Sequence, residues 1–232
     1  MSIDRNLLIS LLKLTKSGPA LIESVNIDAH IPSSSMVKLL EKLQSNGMLY
    51  LKGDVVEVES GCRIKLGVQA VSLGADLEHI SNLLCWQEFE EITALALRDN
   101  GFSVSSNVRF KNASRKWEID VVACRKPLII CIDCKHWQHS IVPSALKRIV
   151  DSQTNRTIAL MDFLPSPKLK IECTKWDHAK FIPVILSLLP CTFKFYNKVP
   201  VVPILQIQDF LNQLSAYTED LKFFPKTFSS LT

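Results

Sequence analysis

Residues 127–135, PLIICIDCK, constrain this chain more than any other stretch. The apolar run reads as a buried strand, yet Asp133 and Lys135 stand at its end, with His136 directly after. An unpaired buried charge costs several kcal/mol even after relaxation. The strand therefore needs a compensating partner for its charges, or a functional reason to carry them.

The flanking sequence supplies the setting. FSVSSNVRF alternates like a strand, KNASRK is a polar loop, and WEIDVVA precedes the apolar run. Residues 124–127, Cys-Arg-Lys-Pro, form a short connection between the last two strands. Any even-length turn places Asp120 on the same sheet face as Asp133 and Lys135, because side chains alternate with period two. Asp120 then faces Cys131 or Asp133, depending on the turn, and the carboxylates are direct or diagonal neighbours in either register. Upstream, residues 77–100 predict one long helix stopped by Asn100-Gly101. In it Glu90 shares a row with Trp86, Ala94 and Leu97 and is expected to point inward, with Glu88 and Glu91 on the solvent side. Downstream, SALKRIVDSQTNRTIALMDF predicts a basic amphipathic helix. FIPVILSLL, CTFKFY and VPVVPIL predict strands, and QDFLNQLSAYTEDLKFF predicts a closing helix.

Two carboxylates and a lysine on one face at a sheet's end form a recognisable chemical device. Carboxylates hold a hard divalent cation that keeps several waters and accepts phosphate oxygens. The lysine can position a water or offset developing negative charge. The charge distribution agrees with an anionic partner. The chain is +4 overall, but residues 105–156 alone carry +6, whereas residues 1–104 are net acidic.

The remaining bounds are general. At 232 residues, 47% hydrophobic and 22% charged, the chain is globular, with room for one large or two ordinary domains. No apolar run reaches the roughly 18–20 residues of a membrane span, and the first residues lack a signal-peptide pattern. Seven cysteines without framework spacing suit a reduced, cytoplasmic interior. Cys131 and Cys134 are three apart on a strand and point to opposite faces, which argues against a shared zinc.

The N-terminal part reads as three short helices, within 4–15, 18–26 and 31–47, and a hairpin around Lys52-Gly53-Asp54. Ser33, Ser34 and Ser35 are capping candidates for the third helix, and Asn46-Gly47 its stop. This order resembles a winged helix-turn-helix, with Lys38 and Lys42 on the recognition helix and Lys52 on the wing. The expected organisation is a winged-helix domain over 1–60, a connecting helix over 61–76, and an α/β domain over 77–232.

WEIDVVA followed by CIDCK, with EFEEITALALRDNGFSV upstream, resembles the core of the PD-(D/E)xK nuclease superfamily. The similarity is greatest to the branch of archaeal Holliday-junction resolvases and Mrr-type restriction endonucleases, and it covers residues 84–156. It implies a restriction-endonuclease-like central mixed sheet flanked by helices and Mg²⁺- or Mn²⁺-dependent hydrolysis of DNA. Asp120 matches the first acid of the motif, Asp133 and Lys135 the (D/E)-x-K, and Glu90 the acid on the first helix. The position before Asp120 is Ile119 instead of the usual proline. The resemblance implies metal binding by Asp120, Asp133 and Glu90, with Lys135 acting on the attacking water. Arg109, Lys111, Arg115, Lys116, Lys147, Arg148, Gln153 and Arg156 are candidates for the nucleic-acid path. Homodimerisation, and a protein partner for the winged helix, fit the same resemblance. Two alternatives stay open: a non-catalytic winged-helix DNA-binding regulator with a nuclease-like scaffold, and an interaction module that recruits a nuclease or helicase.

Overall fold

A computed structural model describes residues 3–112, 114–135, 141–188 and 191–228. The chain divides into two compact units, Met1–Ile92 and Thr93–Thr232, and the division falls within one helix. His136, which directly follows Lys135, lies outside the described residues, as do Trp137 and His139.

The first unit runs α1 (Ile3–Leu14), β1 (Ala20–Leu21), α2 (Ile22–Ala29), α3 (Ser33–Ser45), β2 (Tyr50–Lys52), β3 (Val55–Glu57), α4 (Ser60–Ser72), α5 (Leu77–Leu83) and the first half of α6 (Trp86–Asp99). Its strands form a small antiparallel sheet in the order β1-β3-β2. Leu7, Leu8, Leu11 and Leu12 present one face of α1 to a core completed by Met36, Leu40, Val56, Ile64, Leu66 and Ala70. The helix read as a connector, α4, thus packs into this core.

Two local features differ from the sequence expectation. The serines read as caps of α3 lie within its first turn, and Pro32 precedes them at the cap position, fixing φ there without a side-chain bond. The single helix expected over 77–100 is two helices, α5 and α6. The break has a physical cause: the Glu88 carboxylate turns back to accept the Cys85 backbone N–H at 2.6 Å, half of a capping box that starts α6 afresh. Glu88 is consequently buried, not on the solvent side as the single-helix phase suggested, whereas Glu90 is half-buried and Glu91 exposed.

The second unit is built on a seven-stranded mixed sheet. After the rest of α6 come β4 (Ser103–Asn112), β5 (Arg115–Arg125), β6 (Leu128–Lys135), α7 (Pro143–Phe163), β7 (His178–Ser187), β8 (Phe195–Tyr196), β9 (Val199–Pro203), α8 (Ile207–Tyr217) and β10 (Phe224–Thr227). The order is β4-β5-β6-β7-β9-β8, with β10 pairing the first half of β7. β4, β5 and β6 are antiparallel neighbours. β6 and β7 are parallel along eight residue pairs, and α7 makes the crossover between them. Helix α7 lays Leu146, Val150, Ala159 and Leu160 against strands of the sheet. The expected closing helix ends at Tyr217, and Phe224–Thr227 is instead a short edge strand. Among the described residues no helix is long and apolar enough to cross a membrane.

Candidate active site

The two-residue turn Lys126-Pro127 sets the β5–β6 register: Arg125 faces Leu128, and the ladder runs to Val121 opposite Ile132. The next positions are Asp120 and Asp133, so the turn selects the register in which the two acids are direct neighbours. The ladder itself stops there. On the other side of β5, Asn107 is opposite Asp120 in register and has a positive φ of 51°, interrupting the β4–β5 pairing. Asp120 Oδ2 accepts the Cys134 backbone N–H at 2.8 Å. A carboxylate thus joins the two strands where regular pairing has ended.

Asp133 is only 2% exposed. Its Oδ1 accepts a hydrogen bond from Arg156 of α7, and Lys135 Nζ lies 2.7 Å from Oδ2. That lysine contact is an ion pair off the hydrogen-bonding direction, so Oδ2 accepts no hydrogen bond although it is buried. Asp133 tolerates burial because two cations reach it, one from its own strand and one from 23 residues further on. Both cations are only partly covered, with side chains 25% and 29% exposed. They border an open cleft of about 310 Å³ lined by Asp133, Lys135, Arg148, Ser152 and Arg156.

These donors fit a hard divalent cation. Magnesium is typically held by one or two carboxylates, with waters and substrate phosphates completing its shell. Asp120 and Asp133 supply two such groups on neighbouring strands, and Asp133 Oδ2 retains accepting capacity. Among the described residues no three His, Cys, Asp or Glu side chains form a metal-ligating group. Glu90 falls in the first unit, where its carboxylate accepts a hydrogen bond from the Trp86 indole. Cys131 and Cys134 are both fully buried. Cys134 contacts Thr93 of α6, whereas Cys131 packs in the cluster that includes Leu160 of α7. Burial pushes the Cys131 thiol far above its ordinary range, so it is an inert core group.

The expected nucleic-acid residues do not share one environment. Lys111, Arg115, Lys116, Lys147 and Arg148 are exposed, and the Arg115 guanidinium stacks 4.0 Å over Trp117. Lys111 and Lys116 are direct cross-strand neighbours on β4 and β5. Arg109 is exposed but paired with Glu118 at 2.9 Å, and the Arg109 hydrogen bond holds the Glu118 carboxyl below its usual range. Gln153 requires a correction, because it is fully buried and donates to the Cys131 carbonyl at 2.7 Å. It fastens α7 to β6 and is not on the surface. In the first unit Lys38, Lys42 and Lys52 are exposed, and Lys52 pairs with Glu57 at 2.8 Å. The Arg156–Asp133 contact was not foreseen, because nothing in sequence spacing links a helix residue to that strand end.

Residues 82–161 match the Mrr catalytic family, described as a restriction endonuclease. An uncharacterized protein of Archaeoglobus fulgidus is 28% identical over 141 residues, which is 60% of this chain and 98% of that protein. Among solved structures, Can2 from Sulfobacillus thermosulfidooxidans in complex with cyclic tetra-adenylate is 16% identical, with a TM-score of 0.37; the match covers 76% of this chain and 44% of that one. Protein VC1899 from Vibrio cholerae is 13% identical with a TM-score of 0.34, over 94% of this chain and 57% of that one. Both matches span less than two thirds of the solved chain's length. A restriction-endonuclease-like domain over residues 82–161, set in a large mixed sheet flanked by helices, supports the PD-(D/E)xK nuclease superfamily for this part of the chain.

Proposed function

We propose that this protein is a divalent-metal-dependent DNA endonuclease that hydrolyses phosphodiester bonds, with Mg²⁺ or Mn²⁺ as its cofactor. One observation carries the reading: within the stretch that matches a restriction-endonuclease family, Asp120 and Asp133 stand at opposite positions of neighbouring strands at one sheet end, and Asp133 and Lys135 line an open basic cleft. Asp120 and Asp133 hold the cation, and Glu90 supports it or its water shell, as the resemblance implies. The bound cation supplies charge stabilisation for the phosphoryl transition state and lowers the pKa of a water. Lys135 orients that water and offsets negative charge on the phosphate oxygens. Arg148 and Arg156 receive the backbone at the cleft, and Lys111, Arg115, Lys116 and Lys147 extend the hold along the duplex. Such contacts position DNA without reading its sequence.

The first unit is inferred to be a winged helix with its boundary near residue 60, α3 as recognition helix and the β2–β3 hairpin as wing. The order helix, strand, helix, helix, hairpin supports this reading. It would contact DNA through Lys38, Lys42 and Lys52, or a protein partner. The work of the whole is in repair, recombination or restriction of foreign DNA, in the cytoplasm, and a homodimer suits cutting of both strands.

The test is cleavage of labelled duplex, flap and junction DNA in Mg²⁺, Mn²⁺ or EDTA, comparing the wild type with Asp133→Ala. Metal-dependent cutting by the wild type alone is the expected result. DNA binding without cutting, equal in metal and EDTA, would replace the nuclease with a DNA-binding regulator.

A further inference from the structure

We propose that Arg156 is a latch that couples metal binding to the arrival of a phosphate; the idea rests on the nuclease reading above. Asp133 is the carboxylate expected to hold the cation, and its Oδ1 is occupied by the Arg156 guanidinium. Its Oδ2 faces Lys135 at 2.7 Å. Asp120 and Asp133 together carry two negative charges, and the two cations on Asp133 carry two positive ones. A divalent ion entering this arrangement meets a neutral cluster and must share Asp133 with an arginine. A unit positive charge about 6 Å from a dication weakens its binding about tenfold even with water-like screening.

Arg156 is the partner that can leave. Asp133 is fixed in β6 and buried, whereas the Arg156 side chain is 29% exposed on the cleft beside Arg148 and Ser152. A phosphate in that cleft offers the guanidinium two acceptor oxygens, an exchange that keeps the arginine paired. Moving the guanidinium from Asp133 to the phosphate frees Oδ1 for the metal, and the phosphate adds the negative charge that the cluster lacks. Metal and phosphate then favour each other, and linkage requires the same factor in both directions. Arg156 is therefore a positioning residue that acts through Asp133.

The experiment is calorimetric titration of Mn²⁺ into the full chain, with and without deoxythymidine bisphosphate as the phosphate probe. Without the probe, Arg156→Gln is expected to bind Mn²⁺ at least about tenfold more tightly than the wild type. Arg156→Lys should stay close to the wild type, and the gain should vanish in the Asp133→Asn/Arg156→Gln double variant. With the probe, wild-type Mn²⁺ affinity should rise, and that of Arg156→Gln should change little. Arg156→Met carries the same expectation if the glutamine variant does not fold. Equal or weaker Mn²⁺ binding by the charge-removing variants overturns the latch and leaves the nuclease reading standing. Absence of Mn²⁺ binding in every protein, with or without the probe, overturns both.

Discussion

Each unit of this protein buries one carboxylate against an arginine, and the two burials are built to opposite ends. In the first unit Glu88 takes Arg63 Nε on one oxygen and the Cys85 N–H on the other. Arg63 spends its remaining nitrogens on the Leu12 carbonyl, the Thr15 hydroxyl and the Leu83 carbonyl, each at 2.8 Å. Both side chains are about 95% covered. In the second unit Asp133 is equally buried, but its two cations are a quarter or more exposed and border a cleft. Every polar atom of the first pair is satisfied internally, as a buried ion pair must be to break even. The second keeps a buried oxygen without a hydrogen bond and cations that water or a ligand can reach. A closed pair staples helices together; an open one has capacity left for chemistry.

That contrast sets the expected effects of substitution. Outside the two acids, the largest belongs to Lys135→Ala, which should lower DNA cleavage by about 10³-fold under single-turnover conditions while duplex affinity changes little. Arg63→Leu comes next, since it strands Glu88 in the core. Chemical denaturation should show about 3–5 kcal/mol lost from the first unit's transition. Gln153→Leu removes the donor to the Cys131 carbonyl and should cost about 1–3 kcal/mol in the second unit. Its duplex affinity should match the wild type, since the residue is buried, and weaker binding would restore it to the nucleic-acid path. Lys111→Ala and Lys116→Ala should each flatten the dependence of log affinity on log salt by about 0.9, read by fluorescence anisotropy across a salt series. Their direct cross-strand placement makes them a repulsive pair in the free protein, so both changes together should slightly raise stability.

The smallest effect concerns pH. The Lys13 hydrogen bond, with help from Ser10, holds the Asp28 carboxyl below its ordinary value. Its stabilising contribution is therefore complete above the unfolded-state value of about 3.9 and is lost as pH falls through the lower folded-state value. Asp28→Asn should remove about 0.5 kcal/mol near neutrality, as for a partly exposed ion pair, and nothing at the acid extreme.

Much of the second unit was legible in the sequence because its signals are local. The apolar run of β6, the alternation of β4 and β5 and the amphipathic α7 were read from period and composition. The shared face of Asp120 and Asp133 followed from side-chain alternation alone, but their register waited on the turn at Lys126-Pro127. What escaped the sequence depends on contacts between distant residues. The break between α5 and α6 is made by Glu88 folding back to Cys85 and meeting Arg63, a pairing that periodicity does not encode. β10 was hidden by its brevity and by Pro225, and it forms because the first half of β7 offers an open edge. Arg156 carried a basic charge in the reading, but its hold on Asp133 comes from the crossover that lays α7 over the sheet.

The most direct test of the contrast is to treat the two carboxylates identically. Glu88→Gln and Asp133→Asn should be made side by side, and each assayed for thermal unfolding and for metal-dependent cleavage of the preferred DNA. Glu88→Gln is expected to lower the melting temperature sharply, with residual cleavage per folded molecule. Asp133→Asn is expected to melt close to the wild type and to cut nothing measurable, because its former partners can turn to water. An Asp133→Asn protein that unfolds as readily as Glu88→Gln, or that cuts as well as the wild type, would contradict the account.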